Sequence, residues 1–298
     1  MAFVVASDGV RLYAEAHGEG PPILLSCALN TTHENWRPQV EPLVAAGYRL
    51  LLWDYRGHGL SDAPEDPAAY SMERVVQDLE QVLEALAPGA RVVLGGLSFG
   101  GLASLHFALR HPERVLALLL VDTGPGFKNP EAQRRWEEAV ERTASYLERK
   151  GLEAFVASRA AETLVGRRPE LPAARAAARA IAAQRAHGLA HFGRRVAAPA
   201  PPVIDALPRI GIPALVVVGE HDAAYRRSAE VLSAKLPKAE SVVIPDAGHI
   251  VNIEQAEAFD AAVLAFLARV APDASRPARA SAAGARSEAN PSEVHKTR

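Results

Sequence analysis

The sequence predicts a doubly wound α/β fold interrupted by a helical insertion. Three observations carry this expectation. Short, nearly all-apolar runs recur along the 298 residues, helical patterns lie between them, and the alternation stops for one long stretch in the second half. Strands covered on both faces of a parallel sheet read as continuous apolar runs, and alternation with helices marks a doubly wound sheet.

The strand-like runs fall at residues 10–16, 22–26, 49–54, 91–95, 115–122, 214–219 and 241–245. Residues 71–86 are the clearest helix. Val75, Val76, Leu79, Val82, Leu83 and Leu86 share one face at three-to-four spacing, and Ser71 stands where a cap is needed. Arg74 occupies the position of a capping-box acid, so the cap is plain.

After Asp122 the rhythm breaks. Residues 124–207 contain helix-like stretches at 130–150, 151–165 and 172–185 and no clear strand, and end in the breaker Ala198-Pro199-Ala200-Pro201-Pro202. This is far more than the dozen or so residues a crossover needs, so it reads as a separate helical lid. The expected organisation is therefore a core of residues 1–123 and 208–271, a lid of 124–207, and a tail of 272–298. The tail has one large apolar residue, Val294, and is expected to be disordered because it has almost nothing to bury.

Composition excludes several classes. Hydrophobic residues make up 49% and charged residues 23%, enough for a core, and the formal net charge of −2 gives no electrostatic reason to bind nucleic acid or an anionic membrane. The single cysteine, Cys27, permits no intrachain disulfide and suits a reducing compartment. No basic start precedes an apolar stretch at the N-terminus, and no apolar run approaches the roughly 20 residues of a membrane helix. A cytoplasmic location is the expectation.

The chemistry concentrates at Gly95-Gly96-Leu97-Ser98-Phe99-Gly100-Gly101, between an apolar run and a helical pattern. Gly-x-Ser-x-Gly on a strand-to-helix turn is the nucleophile-elbow pattern: small neighbours let strand and helix pass closely while the serine is held in a strained conformation at the sheet edge. A phosphate loop would need Gly-x-Gly-x-x-Gly or Gly-Lys-Ser/Thr, and neither is present. A serine hydroxyl needs a base. His249 follows the last strand-like run on a glycine-marked turn, and Asp222 follows the run before it. The chain order serine, aspartate, histidine matches that of α/β hydrolases. Asp122 also ends a strand and is a second candidate acid.

Over residues 1–271 the sequence resembles the α/β-hydrolase-fold enzymes. Besides the elbow and its partners, residues 53–62, WDYRGHGLSD, are similar to the family's Asp-x-Arg-Gly-x-Gly-x-Ser loop, and residues 252–259, NIEQAEAF, to its closing helix. The resemblance implies an eight-stranded, mostly parallel sheet with a helical lid between strands six and seven. It also implies an oxyanion hole of two backbone amides, here those of Leu29 and Phe99. One departure stands out: Cys27-Ala28 replaces the family's usual His-Gly.

The implied activity is serine covalent catalysis on a small-molecule acyl substrate, an ester or lactone, with Ser98 as nucleophile, His249 as base and Asp222 as its orienting acid. It calls for no metal and no organic cofactor. Carbon–carbon hydrolysis of ring-cleavage products and cofactor-free perhydrolysis use the same triad and stay open, as does a ligand-binding protein with little turnover. Serine at the nucleophile position argues against haloalkane dehalogenase and epoxide hydrolase chemistry. Four aromatic residues of the insertion, Trp136, Tyr146, Phe155 and Phe192, are candidates to face the substrate.

The remaining polar residues take plainer readings. Cys27 is expected as a small core residue, Asp54 as a loop anchor, and His58 and His221 as loop residues. His187 and His191 are four apart, yet the Glu of His-Glu-x-x-His is missing and Gly188 weakens the helix, so no metal is expected there.

Overall fold

The computed structural model describes residues 2–272. The disorder expected for the tail therefore falls outside the described residues, Pro272 apart. Eight strands form one sheet: β1 (Ala2–Val5), β2 (Arg11–His17), β3 (Pro22–Ser26), β4 (Arg49–Trp53), β5 (Val92–Leu97), β6 (Val115–Val121), β7 (Ala214–Gly219) and β8 (Ala239–Ile244). Their order is β1-β2-β4-β3-β5-β6-β7-β8. The two pairings made by β2 are antiparallel and the other five are parallel.

The helices are α1 (Val40–Ala45), α2 (Met72–Leu86), α3 (Phe99–Arg110), α4 (Pro130–Val156), α5 (Glu162–Val165), α6 (Pro172–Ala182), α7 (Ala186–Phe192), α8 (Ala223–Lys235), α9 (Val251–Glu254) and α10 (Ala256–Val270). In α2 the Ser71 hydroxyl accepts the Arg74 N–H at 3.1 Å, the cap that the sequence offers. The break expected at residue 151 is present, but the helical arm after it ends at Val156 and not at Val165. Helix α4 continues past Gly151 to Val156, with a kink where Gly151 takes φ +78°.

Alternate residues of each central strand serve opposite faces of the sheet. Leu24, Leu51, Leu94, Leu118, Leu120, Val216 and Val218 pack under α2, α3 and α8. Ile23, Leu25, Leu50, Leu52, Val93, Leu119, Val121 and Val217 pack under α1 and α10. Between β6 and β7 the chain is helical and forms no strand. This insertion has a small core of its own, in which Leu147, Leu152, Phe155, Leu164, Ile181 and Leu189 meet.

The sheet's topology positions the site. β3 lies between β4 and β5, so the winding direction reverses there, and the loops after β3 and β5 leave the same edge as neighbours. Such a switch point is where open α/β sheets leave a crevice for ligands. The ends of β3, β5, β6, β7 and β8 are in step: Ser26 pairs with Gly96, Leu97 with Val121, Val121 with Val217, and Gly219 with Ile244.

Candidate active site

Ser98 stands between the last residue of β5 and the first of α3 with φ +55° and ψ −116°. A left-handed φ is costly for a residue with a side chain and persists only where the surroundings hold it. Here the Ser98 N–H donates to Val121 O at 2.8 Å, and its carbonyl accepts from the Thr123 hydroxyl at 2.5 Å. Both anchors come from the end of β6. The glycines supply the clearance. A Cβ at Gly96 would lie 2.6 Å from the Ser26 carbonyl oxygen, and one at Gly100 would meet that same oxygen.

His249 and Asp222 come from the next two loops. Asp222 precedes α8 but makes no side-chain capping bond to it. Its carboxylate turns instead to His249, Oδ2 lying 2.6 Å from Nδ1. That contact leaves Nε2 of the imidazole free to face the cavity. The histidine loop is tied down by Glu254, which is buried. One carboxylate oxygen accepts the Gly248 N–H, and the other accepts the Arg167 N–H of the insertion at 2.7 Å.

Asp122 occupies the end of β6, also with a positive φ, +41°. It does not cap its own turn. Oδ1 accepts the Gly219 N–H at 2.8 Å from the end of β7, and Oδ2 is buried without a hydrogen-bond partner. One carboxylate oxygen of each aspartate and a ring nitrogen of His249 lie within 4.8 Å of one another. Burial, and then the charge of Asp222, push the Asp122 carboxyl well above the usual carboxylate range. Two adjacent buried carboxyls do not both ionise readily. Asp122 is the carboxyl whose charged form its surroundings disfavour, and Asp222 is the one in contact with the imidazole.

Tyr225, not singled out in the sequence, completes the cluster. Its hydroxyl lies 3.3 Å from Ser98 Oγ, and its ring stacks on His249 with centroids 4.9 Å apart and planes 23° apart. Burial raises its pKa, which keeps the phenol protonated. A helical offset of three residues from Asp222 would have pointed to it, since both then share the first turn of α8.

Two cavities meet at Ser98. The larger, about 200 Å³, is bordered by His249 and Asp222 and roofed by the insertion, including Val140, Ala144, Leu147 and Phe155. The smaller, about 90 Å³, is bordered by Phe99, Thr123, Phe127 and Ala200. Leu29, Ser98, Trp136 and Tyr225 border both. The amide of Phe99, as the first residue of α3, has no partner within the helix, and it points where negative charge is stabilised. Leu29 follows β3 across the switch point from it.

Of the four aromatic candidates, the cavities are lined by Trp136 and Phe155. Tyr146 donates its hydroxyl to Ala154 O at 3.2 Å and packs on Phe155. Phe192 is buried among Tyr55, His58 and Phe99, with ring centroids 4.5–5.2 Å away.

The loop histidines divide. His221 is 43% exposed, but His58 is buried, and its Nε2 accepts the Asn30 N–H at 3.1 Å. His187 donates its Nε2–H to the carbonyl of Ala63, 3.0 Å away. Cys27 is fully buried, and burial pushes its thiol up, away from the reactive thiolate. Asp54 anchors its loop through the N–H groups of His33 and Leu60. Arg56 of the same loop is buried and forks onto Asp78 of α2 with two bonds of 2.7 Å.

The comparison with known proteins agrees with this architecture. The family model of the α/β hydrolase fold matches residues 21–256. The chain belongs to the α/β-hydrolase family. A Bacillus subtilis (strain 168) protein, provisionally named 2-succinyl-6-hydroxy-2,4-cyclohexadiene-1-carboxylate synthase, is 30% identical over 90% of this chain and 98% of its own. A thermophilic esterase from Thermogutta terrifontis superposes with a TM-score of 0.76 at 29% identity, covering 90% of this chain and 98% of the esterase. The enol-lactonase from Burkholderia xenovorans LB400 superposes with a TM-score of 0.75 at 30% identity, covering 89% and 99%. This α/β hydrolase is an enzyme. No helix among its described residues is long and apolar enough to cross a membrane.

Proposed function

We propose that this hydrolase cleaves uncharged carboxylic esters or lactones through an acyl-enzyme on Ser98. The observation that carries the reading is the strained Ser98 at the mouth of a cavity that also holds the 2.6 Å His249–Asp222 pair. Ser98 Oγ attacks the carbonyl carbon while His249 Nε2 takes its proton, and Asp222 holds the imidazole tautomer and stabilises the imidazolium. The oxyanion is held by the amides of Leu29 and Phe99. His249 then gives its proton to the departing oxygen. Water, deprotonated by the same imidazole, releases the acid and restores the serine.

The cavity lining narrows the substrate. Among the described residues, no Lys or Arg borders either cavity, and the acidic group bordering the larger, Asp222, is engaged with His249. A carboxylate substrate, such as the one in the name of the Bacillus relative, would enter without a counter-ion. Desolvating an unpaired carboxylate is costly, so a neutral ester or lactone is favoured. The insertion acts as the lid whose residues set this preference.

The test is turnover of p-nitrophenyl butyrate by the wild type and Ser98→Ala, with a fluorophosphonate probe mapped by peptide sequencing. Turnover lost in Ser98→Ala and label on Ser98 support the reading. Turnover that survives in Ser98→Ala, or label at another serine, overturns it.

A further inference from the structure

We propose that the two cavities divide the substrate at Ser98: the smaller holds the acyl group and the larger holds the alcohol that leaves. The proposal rests on the acyl-enzyme reading above. The tetrahedral carbon formed on Ser98 Oγ has three other substituents: the oxyanion, the acyl carbon and the leaving oxygen. The Phe99 amide, at the edge of the smaller cavity, and that of Leu29, at the edge of both, take the oxyanion. When the intermediate collapses, the bond from carbon to the leaving oxygen breaks with its electron pair on that oxygen. The proton taken from Ser98 must reach it from His249. A proton donor must lie within hydrogen-bond reach of the atom it serves. His249 borders the larger cavity and not the smaller. The leaving group therefore lies in the larger cavity, and the acyl carbon takes the direction that remains.

Size then sets the substrate class. The acyl cavity, about 90 Å³, has less than half the volume of the leaving-group cavity, about 200 Å³. The smaller is closed by Leu102 and Ala200, the larger by Val140, Ala144, Leu147 and Leu164. The indole of Trp136, held by its Nε1–H on Ala197 O at 2.9 Å, and the ring of Tyr225, stacked on His249, stand between them. The chemistry that fits is an ester of a short, uncharged acid with a larger apolar alcohol. In a lactone, the shorter arm of the ring would carry the carbonyl.

Two ester series separate the arms. The first keeps the p-nitrophenyl leaving group and lengthens the acid from acetate to octanoate. The second keeps acetate and enlarges the alcohol from methyl to hexyl and naphthyl. The expected result is a fall of tenfold or more in kcat/KM between butyrate and octanoate, and a rise of similar size from methyl to hexyl acetate. Ala200→Leu, which fills the smaller cavity, should lower butyrate relative to acetate at least tenfold and leave the ranking within the alcohol series as it is in the wild type. Ala139→Leu, on the wall of the larger cavity, should do the reverse. Octanoate accepted as well as butyrate while hexyl acetate is refused, or each substitution shifting the other series, overturns the assignment and leaves the acyl-enzyme reading intact. The wild-type series decide even if a variant fails to fold. A wild type that turns over none of the esters overturns the acyl-enzyme reading itself, and the division of the cavities with it.

Discussion

The hydroxyl of Tyr225 lies 3.3 Å from the hydroxyl of Ser98, on the same side as the imidazole on which the tyrosine ring stacks. The phenol is buried and stays protonated, so it can donate to Oγ while the serine proton goes to His249. Under the proposed mechanism one side chain serves two functions: the hydroxyl orients the nucleophile, and the ring fixes the plane of the base. A neutral hydrogen bond contributes about 1 kcal/mol, which is roughly fivefold to tenfold in rate. Tyr225→Phe should lower kcat by about that factor with the melting temperature unchanged. Tyr225→Ala, which also unstacks His249, should lose considerably more. Equal losses in the two variants would leave the hydroxyl as the whole effect.

The Glu254 carboxylate joins the histidine loop to the insertion by accepting the N–H groups of Gly248 and Arg167. Its removal strands two backbone donors, each worth about 1–3 kcal/mol when left unpaired in the interior. Glu254→Ala should lower the melting temperature by several degrees and lower kcat together with it, because His249 loses its placement. Calorimetry and steady-state kinetics on the same preparation test this. Unchanged kcat in a destabilised variant would detach the loop from catalysis.

His58 gives a pH dependence with a definite sign. Burial lowers its pKa to about 4, from the 6.5 of an unperturbed imidazole. Nε2 accepts the Asn30 N–H, which a protonated ring cannot do. Below pH 6.5 the unfolded chain binds the proton and the folded chain does not, so stability falls as the pH drops from 6.5 towards 4. Below about 4 both states are protonated and the loss levels off. Melting temperatures across this window should decline in the wild type, and less steeply in His58→Gln, which keeps an acceptor and does not titrate. Parallel curves would assign the decline to other groups.

These residues also show what was legible in the sequence. The apolar runs marked seven of the eight strands, most of them buried on a sheet face; β8, at the opposite edge from β1, is largely exposed and showed through its valines alone. The eighth, β1, is a four-residue edge strand whose Phe3 and Val5 are exposed, so its pattern carries little hydrophobic signal. Ser98, Asp222 and His249 stand out because each follows an apolar strand and one sits among glycines. His58 read as a loop residue, and its burial was not foreseen because local polarity was the only guide. What buries it is Phe192, contributed by the insertion more than a hundred residues later. Phe192 itself read as a pocket residue for the same reason. An aromatic side chain in a helix is compatible with facing a ligand or facing the core, and tertiary packing decides which. Tyr146 is the second such case, its hydroxyl spent on a carbonyl eight residues away.

That difference separates the insertion's aromatics by experiment. Phe155 borders the larger cavity and belongs to the insertion's own core, whereas Tyr146 borders neither cavity. Phe155→Leu should alter the ranking of ester substrates, and Tyr146→Phe should leave that ranking as it is. Phe192→Ala should instead cost about 3–5 kcal/mol of stability, since a buried ring is removed from among three others. A shifted ranking in Tyr146→Phe would mean that the insertion reshapes the cavity as it closes.

Asp122 and Asp222 predict opposite responses to the same substitution. Both end apolar strands, and both lie near His249, so position in the sequence does not rank them. Contact and charge do. Asp222 meets the imidazole Nδ1 at 2.6 Å, while Asp122 accepts the Gly219 N–H, and burial and its neighbour's charge push its carboxyl well above the usual range. Replacing Asp222 with asparagine removes the charge that stabilises the imidazolium and permits the wrong tautomer. The expected loss is on the order of 10⁴ in kcat, with folding little changed. Asp122→Asn replaces a carboxyl whose charged form is disfavoured with a carboxamide of the same shape. The carboxamide oxygen can still accept from Gly219, and its NH₂ can donate towards Asp222. Turnover should stay within about threefold of wild type, and stability at neutral pH should not fall. Asp122→Ala removes the acceptor as well, strands the Gly219 N–H, and should cost roughly 1–3 kcal/mol. Kinetics and thermal melts of the three variants, run together, are decisive. If Asp122→Asn abolishes turnover while Asp222→Asn stays within about tenfold of wild type, the two carboxyls have exchanged roles and the histidine takes its acid from β6.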